Sequence, residues 1–127
     1  MKKQVEASPD TYVVSNENRS CNLALWVSVA DTSQTRRRGL LGKERIEPKT
    51  GLWIAPCEAV HTFGMKTTID VIFLDRHSRV AKLVSNLKPR RIAFCLKAAS
   101  VLELGSGNIE QSETRVGDQL RFQLLSE

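Results

Sequence analysis

The sequence predicts one mainly β domain, a compact sandwich, a jelly-roll-like fold or a partly open barrel of about six to seven short strands. Apolar and polar residues alternate over short segments, and turn-forming residues separate these segments. The 127 residues suffice for one domain and not for two. Because 41% of the residues are hydrophobic and 26% are charged, we expect a packed core and no global disorder.

The sequence excludes several classes of protein. No run approaches the ~20 apolar residues of a membrane span, and neither a βα barrel nor a full dinucleotide domain fits the length. The chain lacks a nucleophile elbow, a phosphate loop and a glycine-rich dinucleotide fingerprint. No apolar run follows Met1-Lys2-Lys3, so we expect a cytoplasmic chain without a secretory signal, although a chain trimmed of its signal would look the same.

The N-terminal part predicts a lead-in and then a long strand. Residues 1–20 are mostly polar with one apolar patch, Tyr12–Val14, which predicts at most one short strand before a β-rich domain at residues 21–127. Residues Asn22–Ala30 alternate with a period of two, which is typical of a strand with one side on the core.

A short helix is predicted near residues 33–41. Asp31–Ser33 supplies capping side chains, and Gly42 is a residue type that commonly ends a helix. We expect Leu40–Leu41 to point inward and Arg36–Arg38 to point outward.

The remaining strands are predicted from short apolar or alternating runs that turn residues bound. They are Leu52–Ala55, Ile69–Leu74, Val80–Val84, Val101–Leu104 and residues 120–124. Ile69–Leu74 and Val80–Val84 are expected to form a hairpin across Asp75–Ser78. Pro56–Met65 has no periodicity and is predicted to be an irregular connection, and Gly105–Asn108 is predicted to be a turn.

Positive charge is concentrated in two blocks of the sequence. Residues 34–49 hold six basic side chains, and residues 76–100 hold seven basic and no acidic ones. If the blocks meet on one surface, they form an anion-attracting basic face. Its candidate residues are Arg36, Arg37, Lys88 and Arg90. The alternative is a solvated rim around the β core.

The three cysteines, Cys21, Cys57 and Cys95, are too few and too irregularly spaced for a disulfide scaffold. None lies in a C-x-x-C pair, which disfavours a zinc ribbon and a thioredoxin-type site. A reducing compartment is the simpler assumption for this cysteine content.

Cys57 and His61, four residues apart in the irregular segment, are the first candidates for chemistry. A histidine within reach promotes formation of a thiolate, so the pair could act as a reactive thiol. The same pair could begin a metal site with Cys95 and Asp70 as the other ligands. The alternative is structural packing of a small hydrophobic side chain, and we predict no metal and no cofactor.

Asp70 interrupts an otherwise apolar strand, and it must be paired because burying a bare charge is prohibitive. We expect its partner to be a backbone amide or an arginine, with Arg38, Arg90 and Arg91 in adjacent elements. The alternative is an acid held in a pocket for function. Glu103, between two leucines, poses the same question and is expected to be solvated.

Five motifs in order, over residues 23–125, resemble the small family called domain of unknown function 192. They are Thr35–Gly42 followed by Gly51–Ile54, then His61–Lys66, Ile69–Asp75, Val101–Leu104 with Gly107, and Gly117–Asp118. Arg38 matches the arginine of the first motif, with Leu41 in the usual methionine place. The family's Trp-Met-Lys-Asn-Thr run is matched only by Met65-Lys66. The resemblance implies a compact β-sandwich or jelly-roll-like fold with a short helix after the first long strand, and no established activity.

The leading functional hypothesis is a non-enzymatic binding or accessory module for an anionic or sugar-like small molecule or a partner protein. We expect its site where Cys57–Met65, Asp70 and Leu87–Cys95 converge. The candidate ligand-site residues are Cys57, His61, Met65, Asp70, Arg91 and Cys95. The alternatives are a thiol- or metal-dependent enzyme that uses Cys57 and His61, and, less favoured, weak nucleic-acid binding by the basic blocks.

Overall fold

The computed structural model describes residues 10–125, and these residues form nine strands and two short helices. Strands make up 46% of the structure, and seven of them form a curled, half-barrel sheet, which confirms the predicted mainly β fold. In chain order the elements are β1 (Tyr12–Asn16), β2 (Cys21–Ala30), α1 (Ser33–Arg38), β3 (Thr50–Ile54), β4 (Ala59–His61), β5 (Ile69–Leu74), β6 (Val80–Leu87), β7 (Ile92–Phe94), β8 (Ser100–Gly105), α2 (Asn108–Ser112) and β9 (Leu120–Leu124).

The large sheet has the strand order β6-β5-β8-β3-β2-β1-β9, and only the β2–β3 pair is parallel among the strands described. Its two edges approach each other at one end. There the Val80 N–H donates to the Asp118 carbonyl at 2.9 Å and the Gly117 N–H donates to the Val80 carbonyl at 2.8 Å. The sheet therefore curls far enough for its edges to share hydrogen bonds, as in a partly open barrel.

The core lies on both faces of the sheet. Strands β5 and β8 are buried at every position, so both faces of these central strands are covered. The inner cluster, within the curl, includes Ile72 and Leu102, and the outer cluster includes Phe73 and Val101. Since consecutive residues of a strand point to opposite faces, the alternation of β5 and β8 divides their side chains between the two clusters.

Helix α1 ends earlier than the sequence predicts. Thr32 and Thr35 form a capping box at its N-terminus. At the other end Gly39 takes φ 51° and ψ −134°, a conformation that glycine adopts readily, and its N–H donates to the Thr35 carbonyl at 3.0 Å. Gly39, and not Gly42, therefore terminates the helix, while Leu40 is buried as expected.

Three short elements lie where the sequence predicts irregular structure or, for β7, where it predicts no element. β4 lies inside Pro56–Met65 and pairs with β7 in a separate two-stranded sheet. α2 begins at Asn108, within the predicted turn. Elements of three to five residues are too short to show a hydrophobic period, so their hydrogen-bond partners, distant in sequence, determine them.

The segment predicted as a lead-in contributes β1, which lies between β2 and β9 in the large sheet. The Tyr12 ring meets the Trp53 ring edge-on at 5.5 Å, and Trp53 stacks on Phe122 at 3.9 Å. These aromatic contacts fasten β1 and β9 to β3. Residues 1–9 of the predicted lead-in lie outside the described residues.

Candidate functional site

A cavity of about 500 Å³ lies between α1, the segment that follows it, β4 and β8. Apolar side chains line much of its wall, and three arginines of α1 lie at its rim. Its principal lining residues are Arg36, Arg37, Arg38, Leu40, Leu41, Ile54, Cys57, Val60, His61, Met65 and Glu103. The cavity thus combines an apolar wall with a few convergent polar groups, which is the usual composition of a small-molecule site.

Glu103 is the buried carboxyl group of this cavity. It lies in β8, opposite Leu52 of β3 and Val71 of β5, and only 5% of it is exposed. The expectation that Glu103 is solvated is therefore wrong, because the outer core cluster covers its face of the sheet. Burial raises the pKa of Glu103 to about 7, although the Leu40 backbone N–H, which bonds to the carboxylate, opposes the shift.

The segment after α1 approaches Glu103 closely at Gly39. A Cβ atom at this position would lie 3.4 Å from Glu103 Oε1, and the positive φ would strain any other residue. The buried Leu40 side chain anchors the next residue in the outer cluster. Gly39 and Leu40 therefore hold the backbone against the carboxyl group and cover part of it.

The three arginines supply positive charge at the cavity rim. Arg36 is half-buried and donates from Nη1 to the Asp31 carbonyl at 3.0 Å, whereas Arg37 and Arg38 are exposed. Within residues 10–125, none of the three forms an ion pair with a carboxylate. Their guanidinium groups can therefore bind a ligand without breaking an existing salt bridge.

Cys57 and His61 both line the cavity, but the thiol is held in its neutral form. The Cys57 Sγ donates to the Ala59 carbonyl at 3.2 Å. Burial raises the pKa of the Cys57 thiol, although the Ala59 backbone N–H, which favours the thiolate, opposes this shift. His61 is exposed, with its ring 5.8 Å from that of Phe63. This arrangement disfavours the thiolate nucleophile that the sequence suggested as one alternative.

We expect iodoacetamide to alkylate Cys57 slowly at neutral pH and rapidly only above the ordinary thiol pKa of 9.0. Peptide mass spectrometry, which separates Cys57 from Cys21 and Cys95, measures the rate at each pH. Cys57→Ser identifies the peptide signal. Rapid alkylation of Cys57 near neutral pH would restore the reactive-thiol hypothesis.

Asp70 lies away from the cavity, on the inner face of the sheet. Its carboxylate accepts hydrogen bonds from the backbone N–H groups of Asn86, Gly107 and Ile109 at 2.9, 3.1 and 2.8 Å. Of the two partners considered from the sequence, the backbone amide is the one present. Within residues 10–125 no arginine forms an ion pair with Asp70, because its carboxylate faces the curl, where it joins β6 to the start of α2.

Of the remaining predicted residues, Met65 lines this cavity, whereas Arg91 and Cys95 are not among its lining residues. Met65 also borders a second cavity of about 580 Å³, which Lys88, Arg90 and Arg91 line. The two basic blocks therefore lie on either side of the segment that carries Met65. Cys95 packs against the outer cluster, and its N–H donates to the Glu58 carbonyl at 2.9 Å. Among residues 10–125, no three His, Cys, Asp or Glu side chains are grouped closely enough to hold a metal ion.

Comparison with known proteins identifies related sequences and folds. The model of the family described as DUF192, "Uncharacterized ACR", matches residues 13–122. The chain is 32% identical over 117 residues to UPF0127 protein PH1112 of Pyrococcus horikoshii. The aligned region covers 87% of this chain and 98% of that protein.

In the part of the chain that the structure describes, no helix has the length and apolar character to cross a membrane.

Two solved structures share the fold. A Sinorhizobium meliloti protein, described as a proposed transcription regulator, has a TM-score of 0.82 and 19% identity, covering 94% of this chain and 98% of its own. A protein of unknown function from Novosphingobium aromaticivorans has a TM-score of 0.75 and 18% identity, covering 87% of this chain and 83% of its own. At these identities the likeness concerns the fold alone.

Proposed function

The chain belongs to the uncharacterised DUF192 family, and we propose that it binds a small molecule with an anionic group in the cavity between α1 and β8. The observation that carries this proposal is the buried carboxyl group of Glu103 in a cavity whose rim holds Arg36, Arg37 and Arg38. The family description assigns no activity, so the proposal rests on the chemistry of these residues.

The size of the cavity suits a small molecule. Its volume of about 500 Å³ falls within the roughly 300–1,000 Å³ that is common for ligand sites. The wall formed by residues such as Leu40, Ile54 and Val60 can accept an apolar portion of the ligand. The polar groups then determine which end of the ligand faces Glu103 and the arginines.

The charges of the cavity favour an anion when Glu103 is protonated. A neutral carboxyl group donates an O–H hydrogen bond to a carboxylate or phosphate oxygen. Guanidinium groups bind the same oxygens with paired, charge-assisted hydrogen bonds. Once Glu103 ionises, its negative charge repels the ligand, so affinity depends on the protonation of this one group.

We expect the affinity for an anionic ligand to fall by up to about tenfold per pH unit above the pKa of Glu103. The pKa near 7 sets where this loss begins. A thermal-shift screen of small carboxylates and organic phosphates selects a ligand, and isothermal titration on either side of pH 7 measures the change. Glu103→Gln, which keeps a neutral hydrogen-bonding side chain, is expected to bind with little pH dependence.

A matched pair of arginine variants tests the rim. Arg37→Gln is expected to weaken the selected ligand, whereas Arg121→Gln, at an exposed position in β9, removes the same charge away from the cavity and is expected to leave affinity unchanged. If no carboxylate or phosphate stabilises the protein, or if both variants bind equally well, the proposal is wrong.

Nucleic-acid binding remains the less favoured hypothesis. The description of the Sinorhizobium protein as a proposed transcription regulator applies to that protein. Here α1 and α2 have six and five residues, which is short for a helix that reads the major groove. A gel shift that weakens steeply with salt would favour this hypothesis over the small-molecule site.

A further inference from the structure

A cluster of exposed apolar side chains lies on the two-stranded sheet. We call it the small-sheet face and define it as Phe63, Ile92, Phe94 and Leu96, which are between 50% and 76% exposed. They are half of the eight large apolar side chains that are exposed within residues 10–125. An exposed apolar patch bordered by polar residues commonly marks a protein or membrane contact.

The register of β4 and β7 produces this face. His61 pairs with Ile92 and Ala59 with Phe94, so these four side chains share the outer side of the small sheet. Val60 and Ala93 pair between them and point to the outer core cluster. The exposure of Ile92 and Phe94 is thus a consequence of strand alternation, whereas Phe63 and Leu96 lie in the turns just beyond β4 and β7.

Cations border the small-sheet face on both sides of β7. Lys82 Nζ lies 5.4 Å from the centre of the Phe94 ring and donates to the Phe94 carbonyl at 2.8 Å. Basic side chains precede and follow β7 at positions 88, 90, 91 and 97, and residues 76–100 contain no acid. This stretch of the chain therefore carries only positive charge, and the exposed Glu58, which precedes β4 and accepts from the Cys95 N–H, adds one negative charge beside it.

The buried Thr62 side chain fixes the basic turn before β7. Thr62 Oγ1 donates to the Lys88 carbonyl at 2.6 Å and accepts from the Arg91 N–H at 2.8 Å. The Arg90 N–H donates to the Thr62 carbonyl at 3.1 Å. Because Phe63 follows Thr62 directly, the same contacts hold the basic turn and an apolar residue of the small-sheet face at a set spacing.

We propose that the small-sheet face docks this protein on an anionic lipid surface. Its apolar side chains protrude from a small sheet, and a fluid bilayer interface accepts such side chains without a shaped pocket. The neighbouring cations complement anionic headgroups, which attract basic segments close to the surface. A combination of protruding apolar residues and predominantly basic neighbours fits a lipid surface better than either feature alone.

Sedimentation of the full chain with phosphatidylcholine vesicles, with and without phosphatidylglycerol, tests this proposal. We expect binding to the anionic vesicles, weakened by salt, and little binding to the neutral ones. Ile92→Ser combined with Phe94→Ser is expected to weaken binding by at least about tenfold. Both side chains are exposed, so circular dichroism is expected to show an intact fold.

Two further variants control for position and charge. Val116→Ser combined with Leu124→Ser removes exposed apolar side chains elsewhere and is expected to bind normally. Lys88→Gln combined with Arg90→Gln is expected to lower binding to anionic vesicles. Equal binding to neutral vesicles, full binding by Ile92→Ser with Phe94→Ser, binding only to an acidic polypeptide, or a dimer that this variant dissociates would each overturn the proposal.

Discussion

Asp70→Asn is expected to lower the free energy of unfolding by about 3 kcal/mol at pH 7. Asp70 is fully buried, and its two carboxylate oxygens accept from three backbone N–H groups. An asparagine offers one carbonyl oxygen and places an amide group, which is a donor, where the other oxygen was. At least one N–H then faces a donor in a buried site, without a hydrogen-bond acceptor.

The effect is large because the three donors lie on two separate elements. Asn86 is in β6, while Gly107 and Ile109 belong to the start of α2. A hydrogen bond to a charged group contributes about 1.5–3 kcal/mol, more than a neutral one. Loss of the carboxylate therefore weakens both the β5–β6 edge and the attachment of α2 to the sheet.

Chemical denaturation of the parent and the variant at pH 7 measures this loss. Asp75→Asn is the matched control, because Asp75 also accepts from two backbone N–H groups, at His77 and Arg79, but in a solvent-accessible turn. We expect the control to lose about 1 kcal/mol or less. An Asp70→Asn protein as stable as the parent would mean that the three hydrogen bonds contribute little.

The sequence predicts strands well where a local period spans enough residues. Ile69–Leu74 has the predicted bounds, because an apolar run that only Asp70 interrupts meets a turn that Asp75 begins. Ile92–Phe94 is missed because three residues cannot show a period and its partner strand is distant in sequence. Non-local pairing, which no local pattern contains, decides such elements.

The candidate site is only partly predictable for a similar reason. Cys57, His61 and Met65 are close in sequence and do line one cavity. Glu103 is missed because strand alternation points its side chain to the face of the sheet opposite that of Leu102 and Leu104. The sequence does not show which residues cover that face. The almost wholly apolar sequence of β5 did indicate a strand that is buried on both faces. Because β8 pairs with β5, both faces of β8 are buried as well, and Glu103 is buried with them.

Glu103→Gln is expected to stabilise the protein at alkaline pH by about 3 kcal/mol, one pKa unit being worth about 1.4 kcal/mol. In the unfolded chain the carboxyl ionises near its ordinary pKa of 4.5, whereas in the folded chain it holds its proton until about pH 7. Between these values unfolding releases a proton, so rising pH favours the unfolded state and the free energy of unfolding falls. A glutamine in this position avoids the loss because it does not ionise.

Urea denaturation of the parent and the variant at acidic and at alkaline pH measures this effect. The other titrating groups are the same in both proteins, so their contributions cancel in the difference between the two free energies of unfolding. Below the ordinary pKa of 4.5 both states of the parent are largely protonated, so we expect nearly equal stabilities for the two proteins. Above pH 7 the variant is expected to be the more stable, with the difference reaching its full value once folded Glu103 ionises. A difference that stays constant across this range would mean that the folded carboxyl titrates at its ordinary pKa. Glu103 would then be ionised near neutral pH, and the site would lose the neutral donor on which its preference for an anion depends.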